Sequence, residues 1–375
     1  MADFYYLRFQ YIFMIIFFIE EMKKILLIGT IAIITVMTAY AQRIQVVDSD
    51  GLGIPLVTVL NEDGNMIGAT NLDGVFDNLK GAAKVTLTHV AFKPQTVIVA
   101  DFTDGRITME DNNYNLAEIV VKPKPYIYVE TYYRAYVYRN DSLIYFKCGI
   151  MPNTYDPKKT TFDYGSSEKA YVEFAPTMGI AINWGVRVDV SGHAGKLTMN
   201  GFPSDEAFRD KYMVETTEQG PNRKTYSNEE GVVGSFVNNG NQARMTLDAG
   251  KMQMYANKAE GQTKLLKKRE EKGYKYKFTL IHNCSDEMNY DPTNFAMRSD
   301  HWEYDDKKSH VTMVVETYAS DHGYMDKDDF KAKKQEIKNN YKGATLQSLE
   351  AYATAHNIPA ISPIMLQAVQ KLKRW

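Results

Sequence analysis

Cysteine is almost missing from this chain: Cys148 and Cys284 are the only two in 375 residues. One disulfide is the most they can form, and two unbridged thiols are the alternative. Charge of one sign is missing too. Lys and Arg number 44 against 46 Asp and Glu, a formal net charge of -2. No basic stripe stands out locally, so a nucleic-acid partner is excluded. The signatures of common catalytic sites are absent as well. None of the seven His opens an H-E-x-x-H, which a zinc peptidase needs for two metal ligands and a carboxylate base. There is no G-x-S-x-G elbow. Gly231-Val232-Val233-Gly234 lacks the Lys-Ser/Thr of a phosphate loop, and the Asp-Gly turns lack the twelve-residue ligand order of a calcium loop. The expectation is therefore a protein without catalytic residues, metal or cofactor.

Long apolar runs occur only at the start. Met22-Lys23-Lys24 is a basic n-region, Ile25 to Met37 an apolar h-region, and Thr38-Ala39-Tyr40-Ala41 an A-x-A cleavage site before Gln42. Residues 22–41 read as a signal peptide; the alternative is a membrane anchor, for which the run is short. Phe4 to Ile19 is a second apolar run ending at Glu20-Glu21. Residues 1–21 read as an upstream start chosen in error, with a genuine membrane span as the rival. Export to the periplasm or outer-membrane surface follows. Membrane association would then come through a partner rather than a span in the mature chain.

What the chain does have is short strands between turn residues. Ile44 to Asp48, Ile54 to Leu60, Gly64 to Phe76 and Val85 to Phe92 are apolar runs broken at Asp48-Ser49-Asp50-Gly51 and Asn71-Leu72-Asp73-Gly74. That spacing indicates a small β-sandwich over 43–121. The order V-x-D-x-x-G-x-x-I-P-L-V-x-V, G-A-T-N-L-D-G-V-F and V-T-L-T-H-V-A-F-K-P resembles the carboxypeptidase regulatory-like domain, a prealbumin-like sandwich at the N-termini of Gram-negative envelope proteins. The chain departs from it at Thr88-His89-Val90-Ala91-Phe92, where the family usually has a Gly before the aromatic. The resemblance implies a non-catalytic appendage and carries no peptidase activity. Leu116-Ala117-Glu118-Ile119-Val120-Val121 closes the module, and Lys122-Pro123-Lys124-Pro125 reads as a stiff linker. The junction resembles that of TonB-dependent transporters, but too little chain follows for a transporter-sized barrel.

Residues 126–320 read as a larger antiparallel β domain. Tyr126 to Ile150 is its most strand-prone part, with a hairpin at Asn140-Asp141. Ile127, Val129, Thr131, Tyr133, Ala135 and Val137 share one face; Tyr126, Tyr128, Tyr132, Tyr136 and Tyr138 share the other, interrupted by Glu130 and Arg134. This tyrosine face is the candidate contact for a glycan or envelope protein. The alternative is a strand covered on both faces. Further strands are expected at Ile180–Trp184, Val186–Val190, Ala243–Leu247, Tyr274–Ile281 and His310–Tyr318. Three short helices follow within 327–375, with Thr345 and Ser362 as caps and Pro363 in the first turn. They read as covers for a sheet edge or face.

Weaker candidates read first as structure. His282-Asn283-Cys284-Ser285-Asp286 is a turn before it is a metal cluster. Asp300-His301, Asp305-Asp306 and His310 bracket a charged hairpin. Cys148 and His89 share their strands with apolar neighbours and read as packing. The leading expectation is a mainly β, non-catalytic exported protein that binds or docks to an envelope protein or glycan. The rivals are a polymer-acting hydrolase using carboxylates of the second domain, and a structural periplasmic assembly component.

Overall fold

The computed structural model describes residues 19–26, 43–79, 81–101, 105–112, 124–159, 161–164, 170–175, 210, 212–220, 222–284, 292–306 and 309–374. Most of the leader, Leu116–Val121 and the expected strands at Ile180–Trp184 and Val186–Val190 lie outside these residues. Residues 19–26 are helical and exposed. Among the described residues no helix is long and apolar enough to cross a membrane.

The N-terminal part is built of two small sheets. Strands β1 (Ile44–Val47), β4 (Val75–Phe76) and β7 (Arg106–Thr108) form one, in the order β4-β1-β7. Strands β2 (Thr58–Leu60), β3 (Met66–Ala69), β5 (Lys84–His89) and β6 (Phe92–Ile98) form the other, in the order β3-β2-β5-β6. Ile44, Val46, Val59, Leu87, Phe92 and Ile107 are buried in their shared core. The turns follow one local chemistry. Asn71 Oδ1 accepts from the backbone N–H groups of Asp73 and Val75, both at 2.9 Å, while Gly74 takes φ 74°. A Cβ on Gly74 would sit 2.4 Å from the Val46 carbonyl oxygen, so only glycine fits there. Asp48 with Gly51, and Asn61 with Gly64, repeat the arrangement. At His89–Phe92 the turn closes without a glycine. Val90 and Ala91 keep negative φ, and His89 Nδ1 accepts from the Ala91 N–H at 3.1 Å.

A 12-stranded antiparallel sheet follows. Its members are β8 (Tyr126–Arg139), β9 (Ser142–Asp156), β10 (Thr161–Tyr164), β11 (Tyr171–Ala175), β12 (Glu215–Glu218), β13 (Arg223–Asn228), β14 (Gly231–Asn238), β15 (Ala243–Leu247), β16 (Lys275–His282), β17 (Phe295–Asp306), β18 (Ser309–Met325) and β19 (Lys373–Arg374). The order is β12-β13-β14-β15-β16-β17-β18-β8-β9-β11-β19, with β10 on the end of β9. The β8–β9 hairpin turns at Asn140 and Asp141, both at positive φ (46° and 71°). That suits a tight primed turn, which matches the twist of its strands.

Five α-helices follow within the large β region and after it: α1 (Ala249–Ala259), α2 (Thr263–Glu270), α3 (Lys327–Asn340), α4 (Leu346–Ala355) and α5 (Pro363–Lys371). The first two correct the expectation of an all-strand region. They fill the β15–β16 connection, started by Asp248, whose carboxylate accepts from the Lys251 N–H at 3.0 Å. The last three begin as expected. Thr345 forms a capping box with Ser348, and Ser362 caps α5 with Pro363 in its first turn. Two hydrophobic clusters lie on opposite faces of the large sheet. Ile127, Val129, Tyr133, Ala135 and Val137 of β8 belong to one. Tyr132, Tyr136 and Tyr138 belong to the other, which runs on into the N-terminal sheets and the helices α3 to α5.

Candidate functional site

The period-two reading of β8 holds, but the tyrosine face is not an open surface. Tyr128, Tyr132, Tyr136 and Tyr138 are all buried. Hydrogen-bonding groups matched to phenols lie among them and in the helices above. Tyr128 and Tyr352 donate to the Glu130 carboxylate, and Tyr132 donates to Glu350 at 2.7 Å. Tyr138 reaches the Met365 sulfur at 3.9 Å. Burial, reinforced by nearby carboxylates, pushes the pKa values of Tyr128, Tyr132, Tyr136, Tyr138 and Tyr352 far up, so each phenol keeps its proton. Parity shows which residues share a face but not what lies over it, and here helices lie over it.

Arg134 interrupts the tyrosines because it anchors that cover. Its guanidinium donates to Glu350 of α4 at 2.8, 3.0 and 3.2 Å and to the Pro359 carbonyl at 2.7 Å. The Tyr132 and Tyr318 rings lie 5.2 and 6.0 Å from it. Beside it the N-terminal sandwich, the sheet and the 359–362 segment enclose a crevice of about 30 Å³, room for about one water. Glu316 lines this crevice and bonds Tyr136 and Tyr318; burial raises its carboxyl above the ordinary range. His89 lines it too, with Nε2 buried and unpaired in the protein. The crevice is too small for a ligand.

Tyr126 differs from its fellows. It is half-buried and lines an open cleft of about 270 Å³ at the ends of β8 and β9. Thr154 and Asp156 of β9, Lys159 of the following turn, Phe162 and Asp163 of β10, and Lys327 and Phe330 of α3 complete the lining. The β9–β10 register pairs Thr154 with Asp163 and Asp156 with Thr161. The two aspartates are thus diagonal neighbours on one face, with Cα atoms about 7–8 Å apart. The aromatic residues are held by other rings: Phe162 lies 5.1 Å from Tyr155, and Phe330 6.2 Å from Tyr128. Lys124 pairs with Asp326 and Asp329, fastening the start of β8 to the start of α3. Asp156 pairs with Lys159 at 3.7 Å. Thr154 Oγ1 is buried with no hydrogen-bond partner in the protein, which is uncommon for a buried hydroxyl.

Comparisons with protein-family models, curated proteins and solved structures find no match. The cleft therefore rests on its own geometry. Tyr126 alone was singled out by sequence reasoning; its seven companions were not. The nearest signal was Asp156-Pro157-Lys158-Lys159, a turn opener between two strand-prone runs.

The other candidates come apart. Asp300 and His301 stand mid-strand on β17 and face opposite sides. Asp300 holds Arg298 and Tyr276, and His301 lies 3.2 Å from the Ser299 hydroxyl. Asp305 and His310 pair at 2.9 Å across the β17–β18 turn that Asp306 enters. The five cannot converge on one ion. Among the described residues no three His, Cys, Asp or Glu are placed to hold a metal. His282 is buried at the end of β16 and Asn283 accepts from Gln242 at 3.1 Å; Ser285 and Asp286 lie outside the described residues.

Cys148 and Cys284 are not bridged. β17, β18 and β8 stand between their positions in the sheet, so four strand spacings, about 19 Å along the sheet, separate them. A disulfide needs Cα atoms within about 7 Å. Burial pushes the Cys148 thiol up to about 12, which removes it as a thiolate nucleophile. Two thiols per chain should therefore titrate with a chromogenic disulfide in denaturant without reductant, with Cys148 protected in the native protein. Zero thiols would restore the bridge.

Proposed function

We propose that this chain is an exported, non-catalytic recognition protein of a Gram-negative envelope, binding an envelope protein or a glycan through the cleft beside Tyr126. The resemblance of residues 43–121 to the carboxypeptidase regulatory-like domain supports the setting, as does the leader pattern at 22–41. The observation that carries the reading is the lining of the cleft. Tyr126, Phe162, Phe330, Asp156, Asp163, Lys159, Lys327 and Thr154 line about 270 Å³ of open space, with the Thr154 hydroxyl buried and unpaired beside it. A small number of placed polar groups among apolar walls is the ordinary composition of a binding site. The N-terminal sandwich and the helices act as bracing, which holds the cleft between β9, β10 and α3.

The test is a capture from solubilised envelopes with the chain tagged after Trp375, comparing the native protein with a D163N/K327A variant. The native chain should retain a reproducible protein or glycan that the variant loses, identified by mass spectrometry. An identical set on both overturns the assignment to the cleft.

One observation favours a second reading. Asp156 and Asp163 are diagonal neighbours on one face, a placement from which two carboxyl groups can reach the separations, about 5–10 Å, of glycoside-cleaving enzymes. In that reading the pair hydrolyses an envelope or dietary polymer. Release of new reducing ends from a polymer panel, abolished by D156N, would replace recognition with hydrolysis.

A further inference from the structure

We infer that the ligand of the cleft is a single uncharged pyranose ring, the terminal residue of a glycan; the inference rests on the recognition reading and names its ligand class. The lining decides it by exclusion. A fully apolar ligand would strip water from Asp156 and Asp163 and give nothing back. A strongly anionic ligand would meet two carboxylates at close range, and a strongly cationic one would meet Lys159 and Lys327. What remains is a neutral molecule with an apolar face and many hydroxyl groups. A pyranose has both. Its C–H face packs on aromatic rings, and its hydroxyls donate to carboxylates and accept from ammonium groups.

Size and shape agree. At about 270 Å³ the cleft falls just under the range, roughly 300–1,000 Å³, that takes drug-sized ligands. Its lining is eight residues from β8, β9, β10, α3 and one turn, room for one ring, whereas an extended peptide would need a longer groove. Residue roles follow from position. Phe330, buried at the base and fixed edge-on to Tyr128, and the half-buried Tyr126 supply the ring contacts. Thr154 Oγ1, at the floor, gains the partner that the protein does not give it. Asp163 and Lys327, both exposed at the rim, take the outward hydroxyls. Asp156 Oδ1 accepts from the Lys158 N–H at 3.0 Å and Oδ2 lies 3.7 Å from the Lys159 ammonium, so a sugar hydroxyl would meet the two as a pair.

The experiment is saturation-transfer NMR on the full chain with methyl glycosides of glucose, galactose, mannose and N-acetylglucosamine. The same glycosides linked at the end of an oligosaccharide form a second arm. At least one glycoside should bind, with the strongest transfer to the protons of its apolar face. D163N and K327A should each weaken it about tenfold or more, as expected for losing a hydrogen bond to a charged group. Both side chains are exposed, so both variants should keep the native thermal transition. T154V, which removes only the inward hydroxyl, is the third probe. Tighter binding of the oligosaccharide arm assigns the ring to a glycan end; equal binding assigns it to a free sugar and overturns the glycan-terminus claim. Binding untouched by all three variants overturns the site. If no glycoside binds while envelope capture retains a protein through the same residues, the sugar inference falls and the recognition reading stands. If neither arm nor capture finds a ligand, both fall.

Discussion

Glu350→Ala should lower the unfolding free energy by about 3 kcal/mol, at the lower end of what a broken buried ion pair costs. The side chain of Arg134 is 2 % exposed and that of Glu350 22 %. Removing the carboxylate strands the guanidinium with only the Pro359 carbonyl, removes the acceptor of Tyr132, and frees the Ile361 N–H, which donates to Glu350 at 3.3 Å. The asymmetry in exposure gives a sharper expectation. Arg134→Met should cost less than Glu350→Ala, because a carboxylate left behind can reach water whereas a guanidinium cannot. R134M/E350M should recover most of the loss, since apolar replacement of a buried pair is often neutral or stabilising. Urea unfolding of the three variants measures this. Glu350→Ala within about 1 kcal/mol of the native protein would mean that the seam does not hold α4 to the sheet.

How much of this was legible in advance divides by distance along the chain. Asn71 and Gly74, Asn140 and Asp141, Thr345 and Ser362 act on neighbours within four residues, and each was readable from local chemistry. So was the alternation of β8, because a strand's period is a property of its backbone. What covers a face is not local. Arg134 and Glu350 are 216 residues apart, and nothing in either's surroundings announces the other. β8 lies against β18 rather than against a strand before it, so the tyrosines come under helices that follow β18. The cleft draws on residues 126, 154–163 and 327–330 at once. α1 and α2 escaped because a charged stretch such as Thr263–Glu270 has little apolar periodicity to signal a helix.

The protein should also lose stability between about pH 6.5 and 4, through two buried histidines. Burial pushes His301 down to about 4, with Lys277 acting in the same direction and Glu303 and Asp300 opposing. His89 is driven well below its ordinary value by burial, then by Arg244 and His301. Both sit where the N-terminal sandwich meets the sheet; there Arg244 pairs with Asp48 at 2.9 Å and lies 5.3 Å from the Phe92 ring. A histidine whose folded value is depressed binds its proton more readily in the unfolded chain. Its contribution is therefore complete above about pH 6.5 and lost as the pH falls to its folded value. For His301 a drop of about 2.5 units corresponds to about 3 kcal/mol. Glu316, raised by burial, contributes the opposite slope. Urea midpoints of the native protein measured from pH 7.5 down to 4.5 should fall, and H301Q should remove a large part of the fall, because glutamine keeps a polar group near Ser299 but has no proton to bind. An H301Q protein with the native slope would place the acid sensitivity elsewhere. A slope reduced in H301Q and removed in H89Q/H301Q would show that the joint between sandwich and sheet is where acid opens this molecule.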